Sequence, residues 1–154
     1  MTLRSRRPFI AGLAAVAATF AGARAMAQPK PDKAAPAGPQ TKNKIVFQVS
    51  DADPAKWGLT LNNVRNVQTE LPEDDVDIEV VVYGPGITML KGGSPMAPRV
   101  AEALKSGVKV VACENTMKTQ KLVYADMLPD IGYVPAGVVE LMRKQQQGYA
   151  YIRP

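Results

Sequence analysis

Histidine is absent from the 154 residues and cysteine occurs once. Without imidazole there is no Ser-His-Asp or Cys-His catalysis, no His-ligated zinc and no imidazole proton shuttle. A single cysteine forbids an intrachain disulfide. Aromatic residues make up only 6% of the chain and charged residues 21%, too little charge for wholesale disorder and too few prolines and glycines for a fibre. No apolar run approaches the roughly 20 residues of a membrane-spanning helix. What is present is an ordinary apolar fraction, 46%, in a length that fits one domain. Any reaction the chain performs unaided falls to Cys113 and the carboxylates.

The N-terminus reads as an export address. Arg4, Arg6 and Arg7 form a basic start, Ala11 to Ala23 an uncharged run of 13 residues, and Ala25-Met26-Ala27 a small-residue cleavage pattern. Ser5-Arg6-Arg7-Pro8-Phe9-Ile10 resembles a twin-arginine signal. Residues 1–27 are therefore expected to be cleaved near Ala27, leaving a periplasmic protein without a stable membrane anchor. The signal holds four arginines and no acid, so 15 of the 19 basic residues remain against 14 acidic ones and the net charge falls from +5 to +1. The basic character of the precursor belongs largely to the address, and no nucleic-acid partner is expected. Residues 28–43, with four prolines among small and polar neighbours, read as a disordered spacer.

From Lys44 to Pro154 strand and helix patterns alternate. Strands are predicted at Ile45–Val49, Asp77–Tyr83, Val108–Cys113, Ile131–Val134 and Tyr149–Ile152. Trp57, Leu61, Val64, Val67 and Leu71 recur at helical spacing, with Pro72 as a stop. A second helix is predicted after Ser94-Pro95, with Ser94 as its cap, and ends at Ser106-Gly107. A third is predicted from Glu114 to about Leu128, and a fourth over Gly137–Gln147 with Val138, Leu141 and Met142 inward. This alternation argues an α/β, doubly wound, largely parallel five-stranded sheet with helices on both faces.

Ligands of such sheets bind beyond the carboxyl ends of the strands. There the sequence gathers Ser50 to Asp53, Tyr83 to Gly86, and Cys113 to Thr116. A thiol between a strand end and a helix N-terminus faces unpaired N–H groups that favour thiolate, whereas Glu114 beside it repels one. Asn115 and Thr116 can cap that helix or hold what the sulfur binds, with Tyr83, Gly84 and Asp51 as further candidate binding residues. A free cysteine also packs readily, so Cys113 as plain core is the competing reading. Asp51 and Asp53 form a paired-carboxylate candidate, yet Asp-x-Asp-Pro is equally a turn. Gly84-x-Gly86 lacks the third glycine of a dinucleotide loop, so no nucleotide, flavin or other cofactor is expected, and no metal site. Asn62, Asn63 and Asn66 read as a polar helix stripe.

These same residues carry a resemblance. Asn62-Asn63 with Asn66, Val81-Val82-Tyr83-Gly84, the run from Gly107 through Cys113-Glu114-Asn115-Thr116 to Met117, and the ending from Gly137 to Pro154 make the stretch Lys44–Pro154 resemble the DsrE/DsrF-like family of small sulfur-metabolism proteins. The resemblance implies a doubly wound fold, assembly into homotrimers or homohexamers, and a sulfur atom carried as a persulfide on Cys113. Sulfur donor and acceptor thiols, or a small molecule, are then the expected partners, and a sulfur carrier or sulfurtransferase-like role the expected function. The alternative is a non-enzymatic oligomeric ligand-binding or structural module in which Cys113 only packs.

Overall fold

A computed structural model describes residues 42–154. The expected export signal, and the spacer up to residue 41, lie outside the described residues. Five strands form one sheet: β1 (Asn43–Val49), β2 (Val76–Val82), β3 (Lys109–Cys113), β4 (Gly132–Val134) and β5 (Ala150–Ile152). Their order is β4-β3-β2-β1-β5, and every pair is parallel. The longest pairing runs in register from Asn43 opposite Val76 to Val49 opposite Val82. Parallel strands need crossovers, here supplied by α1 (Pro54–Glu70), α2 (Ala97–Lys105), α3 (Glu114–Thr119) and α4 (Gly137–Gln146).

Side chains alternate across the strands, and the two faces bury different things. On one face Phe47, Val49, Ile78, Val80, Val82, Val110 and Ala112 pack against Trp57, Leu61 and Val64 of α1, Val100 and Ala103 of α2, and Met117 of α3. On the other face Val46, Val81 and Val111 meet Leu141 of α4 and Tyr149. The doubly wound architecture expected from sequence is thus present. Among the described residues no helix is long and apolar enough to cross a membrane.

Local chemistry fixes the boundaries. Asp53 caps α1 by accepting the Ala55 N–H at 2.9 Å, and Pro54 opens the helix. Leu71 is already extended before Pro72. Ser94 does not cap α2. Its hydroxyl accepts the Met96 N–H at 3.2 Å in a turn, and the helix begins at Ala97 without a side-chain cap.

Two larger expectations are corrected. The third helix ends at Thr119 rather than near Leu128, because Lys121 adopts a left-handed φ of 55°. Leu122 N–H then bonds the Met117 carbonyl at 2.9 Å and Lys121 N–H the Lys118 carbonyl at 3.2 Å. This is a Schellman closure with lysine where glycine usually stands, and Leu122 packs back on the core. On α4, Leu141 is inward as expected, but Val138 and Met142 are exposed at 62% and 48%. Gly137 and Lys144 take the inward positions instead.

The segment after β2 passes so close to β1 that only glycine fits. A Cβ on Gly86 would lie 2.8 Å from the Val49 carbonyl oxygen, and backbone cannot yield as a flexible side chain can. Gly86→Ala is expected to destabilise the fold by roughly 1–3 kcal/mol, read as a lower urea midpoint at unchanged slope.

Candidate functional site

Strands β3 and β4 are neighbours, yet the helices that follow them leave to opposite faces. Met117 carries α3 into the core with α1 and α2, while Leu141 carries α4 to the other face. Such a point opens a crevice at the carboxyl edge of the sheet. Cys113, the last residue of β3, stands at that point.

The Cys113 side chain is on the α4 face and only 4% exposed. Burial alone pushes a thiol up. Here the Thr116 hydroxyl and the N–H groups of Gly137, Thr116 and Asn115 lie near the sulfur, and together they hold its pKa below the ordinary thiol value. The donors come from the starts of two helices, α3 and α4. Thr116 is aimed from behind: its oxygen accepts the Gly84 N–H at 2.9 Å, which leaves its proton free for the sulfur. The Asn115 N–H also donates to the Pro135 carbonyl at 3.2 Å, tying α3 to the loop after β4. Glu114, expected to oppose ionisation, points elsewhere. Its carboxylate accepts the Tyr124 hydroxyl at 2.5 Å, and the Tyr124 ring stands edge-on to Tyr133 at 4.5 Å.

The other sequence candidates divide. Gly84, with a left-handed φ of 55°, orients Thr116 as described, and its carbonyl accepts the Gln120 side chain at 3.2 Å. Tyr83 packs its ring on Gly137, where a Cβ would meet ring carbon Cδ1 at 3.0 Å. Burial, then the neighbouring Tyr151, push the Tyr83 hydroxyl above its ordinary pKa, against Arg153 and hydrogen bonds involving Gln48 and Ser50. Asn115 contributes its backbone, and its side chain is exposed.

Asp51 stands apart. It follows β1, two strands away from Cys113, and its carboxylate pairs with Lys56 at 3.2 Å and Arg153 at 3.3 Å. Those two cations hold its pKa below the usual value. Asp53 is spent on the α1 cap, so the two carboxylates form no acid–base pair. Asp51→Asn should leave Cys113 alkylation unchanged, a result that rate measurements across pH can check. Of the asparagine stripe, Asn62 accepts Arg99 of α2 at 2.7 Å and is helix surface.

Sequence reasoning missed Gly137. A signal was there: Pro135-Ala136-Gly137 is a second strand-to-helix turn, and a glycine at a helix start permits close approach. It also missed Gln48 and Tyr151, which join Tyr83, Val138, Met142 and Gln145 around an open groove of about 590 Å³. The Tyr151 hydroxyl donates to the Gln48 side chain at 2.7 Å. Because Tyr83 touches Gly137, this uncharged groove adjoins the sulfur site.

A family model described as DsrE/DsrF-like matches residues 43–154, in accord with the resemblance read from sequence. Among solved structures, protein MTH1491 of Methanobacterium thermoautotrophicum, of unknown function, is similar with 34% identity and a TM-score of 0.70, over 73% of this chain and all of that one. BT1422 of Bacteroides thetaiotaomicron, also of unknown function, shares 11% identity at a TM-score of 0.60, over 73% of this chain and 95% of its own. YchN of E. coli shares 14% at 0.58, over 73% of this chain and 99% of its own. These last two show the fold alone. No curated protein matches.

Proposed function

The chain belongs to the DsrE/DsrF-like family, and on that premise we propose that it binds and relays sulfane sulfur as a persulfide on Cys113. Membership of that family gives the coarser statement, a sulfur-metabolism-related role. The observation that carries the finer one is the placement of Cys113, which ends β3 directly before α3 and pairs with Val134 of β4 three residues before α4, with the thiol's pKa held low although it is buried. A cysteine that merely packs in apolar surroundings has its pKa raised.

The chemistry is thiol–disulfide exchange. The Cys113 thiolate attacks a terminal sulfur of an inorganic polysulfide dianion. One S–S bond forms to Cys113 and one breaks in the donor, which leaves as a dianion one sulfur shorter. The product is a Cys113 persulfide anion, and the Thr116 hydroxyl and the Gly137 N–H stand where that charge can be held. An acceptor thiolate then attacks the outer sulfur, takes it as its own persulfide, and releases the Cys113 thiolate. No external oxidant or reductant enters. Asn115, Thr116, Tyr83 and Gly84 are the residues proposed to surround the bound sulfur. Asp51, ion-paired two strands away, is left out.

The working protein is proposed to be periplasmic, a reading supported by the export pattern of residues 1–27. Assembly into a homotrimer or homohexamer is supported by Val138, Met142, Tyr151 and Ile152, apolar side chains exposed on α4 and β5. Loaded protein mixed with a low-molecular-weight thiol should return to the free thiol form and pass one sulfur per chain to the acceptor. Retention of the sulfur against excess thiol would contradict a relay.

The depth of Cys113 favours a second reading, in which the groove beside Tyr83 takes a small molecule and the thiol is packing. In that case Cys113→Ala leaves ligand binding intact and no sulfur is ever transferred.

A further inference from the structure

We infer that the ion pair between Glu79 and Lys144 is a positioning device that fixes α4 along the sheet and so places the Gly137 N–H against the Cys113 sulfur. The inference rests on the proposed function only in taking Cys113 as the reacting group.

Three residues of α4 face inward: Gly137, Leu141 and Lys144. Spaced by four and three, they lie along one side of the helix. Leu141 supplies apolar contact, which has no preferred axial register. The ends supply direction. Gly137 meets the Tyr83 ring and stands three residues after Val134, the β4 partner of Cys113, and two turns on Lys144 meets Glu79 of β2, Nζ to Oε2 at 2.5 Å.

That pair is a poor choice for stability. Glu79 is 3% exposed and Lys144 9%, so both charges are desolvated, and Glu79 Oε1 has no hydrogen-bond partner. Buried pairs of this kind are commonly no more stabilising than apolar residues of the same size, whereas they impose a single geometry. Every other charge nearby is committed. Glu140 approaches Lys144 at 3.7 Å. Lys109 pairs with Asp77 at 3.2 Å. The Tyr149 hydroxyl donates to Asp77 at 2.6 Å, and its ring lies under Lys144 at 4.8 Å and Lys44 at 5.7 Å. Lys144 is therefore confined between a carboxylate and a ring, which fixes the helix axis rather than merely attracting it.

The test titrates the Cys113 thiol through the pH dependence of its alkylation rate in the full chain, for the wild type and two variants. In Glu79→Leu/Lys144→Met the pair is replaced by apolar side chains of similar volume. This variant is expected to remain folded with an undiminished urea midpoint, yet to show a thiol pKa about one unit higher, since α4 loses its directional contact. Glu79→Asp keeps both charges and shortens the reach by one methylene. It should raise the thiol pKa in the same direction, and it serves if the double variant does not fold. A wild-type thiol titration in either folded variant overturns the inference. Sulfur loading and transfer are not read, so this failure is distinct from that of the proposed function, which is judged on sulfur uptake and release.

Discussion

Thr116→Val is expected to raise the Cys113 thiol pKa by roughly one to two units, because a hydrogen bond to a charged group contributes roughly 1.5–3 kcal/mol and one pKa unit corresponds to about 1.4 kcal/mol. The alkylation rate at neutral pH should fall by about threefold to tenfold. Part of the loss in thiolate fraction is recovered, since a thiolate of higher pKa is the stronger nucleophile. Valine matches threonine in shape, so the effect isolates the hydroxyl. It also strands the Gly84 N–H that Thr116 accepts at 2.9 Å, which should cost about 1–3 kcal/mol of stability. Thr116→Ser keeps the hydroxyl and should restore most of both. An unshifted thiol in a folded Thr116→Val protein would show that the hydroxyl does not act on the sulfur.

Lys144→Met on its own should be the most damaging of these substitutions to the fold. It leaves the Glu79 carboxylate buried without its cation, a change that costs roughly 3–5 kcal/mol. The pH dependence follows from sign. Burial already holds Glu79 above the ordinary carboxylate pKa, with Lys144 opposing it, and removing Lys144 lets burial raise it further. A buried acid of raised pKa binds its proton more tightly folded than unfolded, so stability falls as the pH rises from the ordinary value through the folded one. The deficit relative to wild type should therefore be largest at neutral pH and shrink toward acid. Urea midpoints across that range are the check. A uniform deficit at every pH would trace the loss to packing instead of to the stranded charge.

Most of the frame could be read from residue order. Five apolar runs separated by helical spacings and by Pro72, Ser106-Gly107 and Pro129 give the doubly wound sheet, and a strand that ends at Cys113 puts the thiol at the carboxyl edge. What could not be read depends on contacts between distant segments. The arrest of α3 at Thr119 uses a lysine in a left-handed turn, a conformation that glycine would have announced and Lys121 does not. The inward side of α4 departs from its apolar spacing, which favours Val138 and Met142, because the sheet face below offers Glu79 and selects Lys144. Gly137 joins the sulfur only because β4 lies beside β3, which no local pattern states. Asp51 looked available in sequence for the opposite reason: Arg153, its partner, is 102 positions away.

The central claim is that Cys113 accepts sulfur while folded. The most direct measurement is the intact mass of the protein before and after treatment with inorganic polysulfide, beside Cys113→Ala. The account predicts added mass in whole sulfur atoms on the wild type alone, removed by a reductant. A folded wild-type protein that gains no mass, or a Cys113→Ala protein that gains as much, would contradict it.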